Sequence, residues 1–156
     1  YEPWAGTVRV WGVDAAQLAP QARRRFVGHV DQAFRAVPGT VADQITLGDP
    51  GISREEMTQA AQLAGIGGAL EALPQGYDTP YAEGLLSQGQ TQLLSIARAV
   101  AANPKLLLLD EITANLDSGT EQQVMEALRR ASQNRAVFSI SHRLYEQSGQ
   151  GRIVQI

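Results

Sequence analysis

Two acidic residues, Asp110 and Glu111, follow directly on the most apolar run of the chain, residues 106–109. Such a run predicts a strand buried on both faces, and the carboxyl edge of a parallel sheet is where α/β folds bind ligands. One carboxylate could hold Mg²⁺ by oxygen ligation, and the next could polarise a water molecule. A strand that simply meets solvent in two charged residues is also common, so the pair alone is only suggestive.

A second feature is the segment Ser87-Gln88-Gly89-Gln90, which opens a long apolar-faced helix. The free N–H groups and the dipole of a helix start attract anions. The Ser87 hydroxyl could add one donor, and Gly89 would permit a close approach of the backbone to a ligand. Taken alone, Ser87 is more simply interpreted as an N-cap.

Two further polar residues follow strand-like segments, namely Gln32 and His142. A histidine at the end of a strand could donate a hydrogen bond to a phosphate oxygen, although a surface or capping histidine is the commoner case. An isolated glutamine after a strand indicates almost nothing by itself.

The elements that must position these residues are readable from the pattern of apolar residues. Strands are predicted at 7–11, 26–30, 105–109, 136–140 and 152–156. Pro20 breaks the mixed segment 15–25, and residues 31–38 form a loop. Three helices are predicted to begin with capping boxes, at Ser53 with Glu56, Ser87 with Gln90, and Ser118 with Glu121. The alternation of helices and strands predicts an α/β fold with a parallel sheet.

Composition narrows the possible classes of protein. The 156 residues are 44% hydrophobic and carry a net charge of −3, which suits one globular domain and shows no basic stripe for a nucleic acid. The chain has no cysteine, so disulfides and thiolate metal sites are excluded. No run approaches the ~20 apolar residues that span a bilayer.

Order and spacing make the combination far more specific than its parts. Gln32, the segment 87–90, the acidic pair at 110–111, Asp117 and His142 resemble, in that order, the Q-loop, signature motif, Walker B strand, D-loop and switch histidine of ATP-binding-cassette (ABC) transporter domains. Residues 73–79 (LPQGYDT) resemble the exporter-type members.

The resemblance implies a P-loop NTPase-like layered α/β fold, with a parallel core sheet and a helical signature subdomain. Within one partial ABC ATPase domain, 1–156, it implies that residues 33–90 run from the Q-loop through the helical subdomain. Residues 91–156 would then carry the Walker B, D-loop and switch-histidine part of the catalytic core.

The same resemblance implies a role for each site residue, with ATP and Mg²⁺ as cofactors. Asp110 would hold Mg²⁺ through water, and Glu111 would act as general base. His142 would contact the γ-phosphate, and Gln32 would sense Mg²⁺ and the attacking water.

The signature residues would act in trans. Ser87, Gln88, Gly89 and Gln90 would close over ATP held by a second nucleotide-binding domain in a head-to-tail dimer, and Asp117 would lie at that interface. Gln88 departs from the family pattern, which usually has glycine there.

The phosphate-binding motif G-x-x-x-x-G-K-[ST] is absent, and the only lysine, Lys105, precedes the Walker B strand. In the family, that motif lies just upstream of the segment that residues 1–12 resemble. We therefore expect the chain to begin inside the domain. We therefore expect these residues alone to bind ATP poorly and not to hydrolyse it. We also expect a sheet that lacks one strand and exposes apolar surface.

The function implied is that of the ATP-hydrolysing domain of an ABC exporter, at the cytoplasmic face of the membrane and attached to transmembrane domains. Two alternatives remain open, a non-transport ABC ATPase and a degenerate, non-catalytic cassette that acts as an interaction module. The transported substrate is not indicated.

Overall fold

The computed structural model describes residues 6–10, 12–31, 33–110, 112 and 117–140. Its strands and helices follow in chain order: β1 (Arg9–Val10), β2 (Val13–Asp14), α1 (Pro20–Phe26), β3 (Val27–Val30), α2 (Val41–Thr46), α3 (Arg54–Leu63), α4 (Gly67–Glu71), α5 (Gln88–Val100), β4 (Leu106–Asp110), α6 (Ser118–Ser132) and β5 (Ala136–Ile140). Short 3-10 turns lie at Ala15–Gln17 and Gly76–Asp78.

A three-stranded parallel sheet, in the order β3-β4-β5, forms the centre of the fold. Leu107 and Leu109, which share one face of β4, are buried, whereas Leu106 and Leu108 on the other face are only partly buried. The prediction of a strand buried on both faces is therefore correct for one face only. The predicted α/β fold with a parallel sheet is confirmed, and so are the predicted strands near 105–109 and 136–140.

The helices between β3 and β4 pack around α5. Ile45 of α2, Met57 of α3, Leu70 of α4 and Leu94 of α5 are all almost fully buried and belong to one apolar cluster. The capping box predicted at Ser53 is confirmed, since the Ser53 hydroxyl accepts from the Glu56 N–H at 3.2 Å.

The contact between α5 and β3 depends on Gly28. A Cβ built at Gly28 would overlap the carbonyl oxygen of Ala99 and lie 2.9 Å from side-chain atoms of Leu107 and Pro104. A backbone oxygen cannot move aside as a flexible side chain can. Glycine is therefore required here for close packing of the helix against the sheet.

We expect Gly28→Ala to lower the free energy of unfolding by about 1–3 kcal/mol, because the added methyl group overpacks this contact. Gly68 of α4 provides a control, since no atom outside its own helix backbone and chain neighbours lies within 4 Å of its Cβ position and its φ is not positive. Chemical denaturation of both variants measures the effect. Equal stability of the two variants would show that the contact between α5 and β3 tolerates a side chain.

Three local predictions at the N-terminal end were wrong. Pro20 begins α1 rather than breaking the chain, and Phe26 is the last residue of that helix, so β3 begins at Val27. Instead of one strand over 7–11, β1 and β2 form a short antiparallel pair. The predicted strand at 152–156 lies outside the described residues.

β5 is at the edge of the sheet formed by the described strands. Its Val137 and Phe138 are 42% and 51% exposed. The expected absence of one strand from the sheet stays a prediction. Within the same described part of the chain, no helix is both long enough and apolar enough to cross a membrane.

Candidate functional site

The three parallel strands end at one edge of the sheet. The register aligns Val30 of β3 with Leu109 of β4, and Asp110 with Ile140 of β5. This is the carboxyl edge, where ligands bind in open α/β sheets. The candidate residues Gln32, Glu111 and His142 each follow one of these strand ends within two residues in the sequence. They lie outside the described residues, so their mutual distances remain a prediction.

Asp110 is the last residue of β4 at this edge, and it is exposed. An exposed carboxylate at a strand end suits a hard cation held by oxygen atoms. No group of three metal-ligating side chains occurs among the residues that the structure describes. The exposed carboxylate of Asp110 leaves room for the water ligands that Mg²⁺ retains.

Lys105 lies at the opposite edge. Its N–H donates to the Phe26 carbonyl at 3.2 Å, and its carbonyl accepts from the Ala136 N–H at 3.0 Å. Lys105 therefore lies level with the starts of β3 and β5, at the amino-terminal edge of the sheet. The five-residue strand β4 separates it from the carboxyl edge by about 16 Å. The structure thus agrees that this lysine cannot serve phosphates at Asp110.

Ser87 caps α5 by the predicted capping box. Its hydroxyl accepts from the Gln90 N–H at 3.2 Å, and the Gln90 side-chain oxygen accepts from the Ser87 N–H at 3.0 Å. Both Ser87 and Gln88 are exposed. The hydroxyl proton of Ser87 is not used by this cap. The helix start can therefore donate to an anion that another molecule presents, while Ser87 also serves as N-cap.

Gly89 faces the start of α6. A Cβ built there would overlap the methyl group of Thr120 and lie 3.3 Å from its hydroxyl oxygen. The sequence suggested that Gly89 admits a ligand. The structure shows a second reason for glycine at this position, because the first turns of α5 and α6 lie too close together to admit a Cβ atom.

Asp117, and not Ser118, caps α6. Its carboxylate accepts from the N–H groups of Gly119 at 3.1 Å and Thr120 at 3.0 Å, and from the Thr120 hydroxyl at 2.6 Å. The predicted capping box of Ser118 and Glu121 is therefore wrong by one residue. The hydrogen bond from the Thr120 hydroxyl is the largest cause that lowers the pKa of Asp117, and the Thr120 N–H adds to it.

Thr120 links two predicted sites and was not singled out from the sequence. It contacts Gly89 of the signature segment and donates to Asp117 of the D-loop segment. The spacing of Asp117 and Thr120 is that of an N-cap and its third helical residue. That spacing signals the cap, but no local pattern reveals the contact with Gly89.

Comparison with known proteins agrees with this geometry. The family model described as "ABC transporter" matches residues 1–114. The chain belongs to the ABC transporter family. An ATM1-type heavy metal exporter of Novosphingobium aromaticivorans is 40% identical over 146 residues, which are 92% of this chain and 24% of the relative. P-glycoprotein 14 of Caenorhabditis elegans is also 40% identical over 146 residues, 92% of this chain and 11% of the relative.

A third relative is the mycobactin import ATP-binding/permease protein IrtA of Mycolicibacterium smegmatis, 44% identical over 142 residues. Those residues make up 90% of this chain and 16% of that protein. Among solved structures, a bacterial Atm1-family ABC exporter with ATP bound superposes with a TM-score of 0.72 at 38% identity. The match covers 92% of this chain and 26% of the exporter chain.

The exporter-type ABC assignment and the P-loop NTPase-like fold are thus confirmed. This ABC chain spans between about a tenth and a quarter of the length of these relatives. Their printed names include both export and import, so the direction of transport and the substrate do not follow from similarity.

Proposed function

We propose that this ABC chain is part of the ATP-binding and ATP-hydrolysing domain of an exporter, attached to transmembrane domains at the cytoplasmic face of the membrane. The observation that supports it most is the shared edge of β3, β4 and β5. Asp110 lies at that edge. Gln32, Glu111 and His142 follow the ends of the three strands within two residues in the sequence.

Each of these residues has a proposed task in transfer of the γ-phosphoryl group to water. Glu111 accepts a proton from the attacking water, and His142 donates a hydrogen bond to the γ-phosphate. Gln32 orients the water and reports the occupancy of the site to the transmembrane domains. Catalysis then rests on positioning and on electrostatic stabilisation of the transferred group.

Asp110 is proposed to hold Mg²⁺ through water, with Gln32 as a second oxygen donor. The bound ion would neutralise charge on the phosphate oxygens of ATP. The exposure of Asp110 at the strand end leaves room for the hydration shell that Mg²⁺ retains.

The signature residues Ser87, Gln88, Gly89 and Gln90 are proposed to contact ATP held by a second nucleotide-binding domain. The exposure of Ser87 and Gln88 at the start of α5 supports this role, because a neighbouring molecule can reach the free N–H groups there. Asp117, also exposed, is proposed to lie in the same interface between domains.

The proposal is tested by reconstituting the complete exporter in lipid vesicles and measuring ATP hydrolysis with and without Mg²⁺. We expect Mg²⁺-dependent hydrolysis that rises when the transported compound is present. Absence of hydrolysis would indicate a degenerate cassette. Hydrolysis by a protein that purifies without any membrane-spanning partner would indicate a non-transport ATPase.

The 156 residues alone are proposed to be inactive, because they lack a G-x-x-x-x-G-K-[ST] segment and their one lysine lies at the wrong edge of the sheet. Titration of the isolated chain with ATP by calorimetry checks this. A dissociation constant in the micromolar range would overturn it.

A further inference from the structure

Arg98 of α5 contacts the segment that follows Gln32. Its guanidinium carbon lies 4.1 Å from the centre of the Phe34 ring, and its Nη1 donates to the Arg35 carbonyl at 2.8 Å. Its Nε donates to the Gln44 carbonyl at 2.5 Å. One side chain thus connects α5, residues 34–35 and α2.

The charge of Arg98 is retained at neutral pH. Burial is the main cause that lowers its pKa, to about 10, and the neighbouring Arg24 adds to the effect. A partly desolvated cation over an aromatic ring is held more strongly than an exposed pair. The contact with Phe34 is therefore strong enough to influence where the segment lies.

Gln44 holds the far end of the same segment. Fully buried, it donates to the Val37 carbonyl at 2.7 Å and accepts from the Val37 N–H at 2.9 Å. The Arg98 Nη2 reaches the same side-chain oxygen at 3.4 Å. Residues 34–37 are therefore fixed to α5 and α2 at both ends, and the Phe34 ring also lies 5.9 Å from that of Tyr81.

We propose that Arg98 is a positioning residue that sets the location of the Gln32 segment, residues 33–37, relative to α5. The inference rests on the proposed function, in which Gln32 acts at the sheet edge and the start of α5 contacts ATP in trans. Because Arg98 lies near the end of α5, a displacement of that helix moves the Gln32 segment with it. Arg98 thus links α5 to residues 34–35, which follow Gln32 closely in the sequence.

Arg24 provides a matched control. It is another partly buried arginine, and it donates to the Ile45 carbonyl at 3.1 Å, to the Thr46 carbonyl, and to the Arg98 carbonyl at 3.2 Å. It joins α2 to α5 as Arg98 does, but its hydrogen bonds do not include residues 33–37. Arg24→Met therefore removes a partly buried arginine whose own hydrogen bonds lie outside residues 33–37.

The first test is amide hydrogen exchange on the complete exporter. We expect Arg98→Met to accelerate exchange of the Val37 N–H, because the Gln44 side-chain oxygen that accepts from it also accepts from Arg98. Arg24→Met should accelerate exchange in α2 and leave that of Val37 close to the unsubstituted protein. Equal exchange of the Val37 N–H in the two variants would overturn the proposal. If Arg98→Met does not fold, Phe34→Leu is the alternative, because it removes the ring with a smaller change. This variant must show the same faster amide exchange in residues 33–37.

The second test is ATP hydrolysis by the complete exporter. We expect Arg98→Met to lower kcat about tenfold with KM for ATP nearly unchanged, because a misplaced segment affects the reacting geometry more than ground-state binding. Arg24→Met should keep kcat within about twofold. A double-mutant cycle of Arg98→Met and Phe34→Leu should be non-additive, since the two residues share one contact.

The outcomes separate this inference from the proposed function. An unsubstituted exporter that hydrolyses no ATP would sink the proposed function, and hydrogen exchange would still decide whether Arg98 fixes the segment. An active exporter in which Arg98→Met and Arg24→Met have the same kcat would sink the inference alone.

Discussion

Replacing Glu111 by glutamine should reduce single-turnover ATP hydrolysis by the complete exporter by about 10²–10⁴-fold, the range expected for loss of a general base. Glutamine has nearly the same size and can still hydrogen-bond to water, but it cannot accept the proton. ATP binding should therefore persist. Release of labelled phosphate, measured beside retention of labelled ATP, gives both quantities in one experiment.

The control for this variant is Glu71→Gln, the same chemical change at an exposed residue that ends α4. We expect this control to hydrolyse ATP at the unsubstituted rate. If Glu111→Gln retained that rate as well, Glu111 would not be the base. If the unsubstituted protein were already as slow as Glu111→Gln, the cassette would be a degenerate one.

The parallel sheet and the starts of α3 and α5 were predictable because their signals are local. The apolar run at 106–109 favours a strand inside a sheet, and parallel pairing of β3, β4 and β5 brings their carboxyl ends to one edge. Capping boxes at Ser53 and Ser87 depend on residues three positions apart. Such patterns are complete within a few residues of sequence.

The wrong local predictions arose where one signal has two structural meanings. Pro20 was taken as a break, yet proline is favoured in the first turn of a helix, where its missing N–H costs nothing. Ser118 and Glu121 have capping-box spacing, but Asp117 is also a good N-cap. Asp117 caps the helix because its carboxylate receives three hydrogen bonds, including one from the Thr120 hydroxyl.

The parts of the site that could not be predicted depend on contacts between distant residues. Arg98 lies 64 positions from Phe34 in the sequence, and its position in α5 reads as an ordinary polar residue on a helix. The contact of Gly89 with Thr120 likewise exists only once α5 and α6 are packed. Motif order predicted which residues belong to the site, whereas these contacts show how α5 packs against α6 and against residues 34–35.

The contact of Gly89 with Thr120 leads to the second large effect. We expect Gly89→Ala to lower ATP hydrolysis by the complete exporter by about 10²-fold, because displacement of a positioning turn by about 1 Å has effects of this size. The added methyl group would overlap the Thr120 methyl, so the first turn of α5 must shift away from α6. We also expect the free energy of unfolding of the chain to fall by about 1–3 kcal/mol.

A second substitution, Thr120→Ser, should reverse both effects. Serine lacks the methyl group that collides with the new Cβ, and it keeps the hydroxyl that donates to Asp117. Thr120→Ser alone is the control and should remain near the unsubstituted protein in stability and rate. If the double variant regained stability but stayed inactive, Gly89 would be required for approach to ATP in trans. Recovery of both would show that the glycine is there so that the signature helix can lie against the helix capped by Asp117.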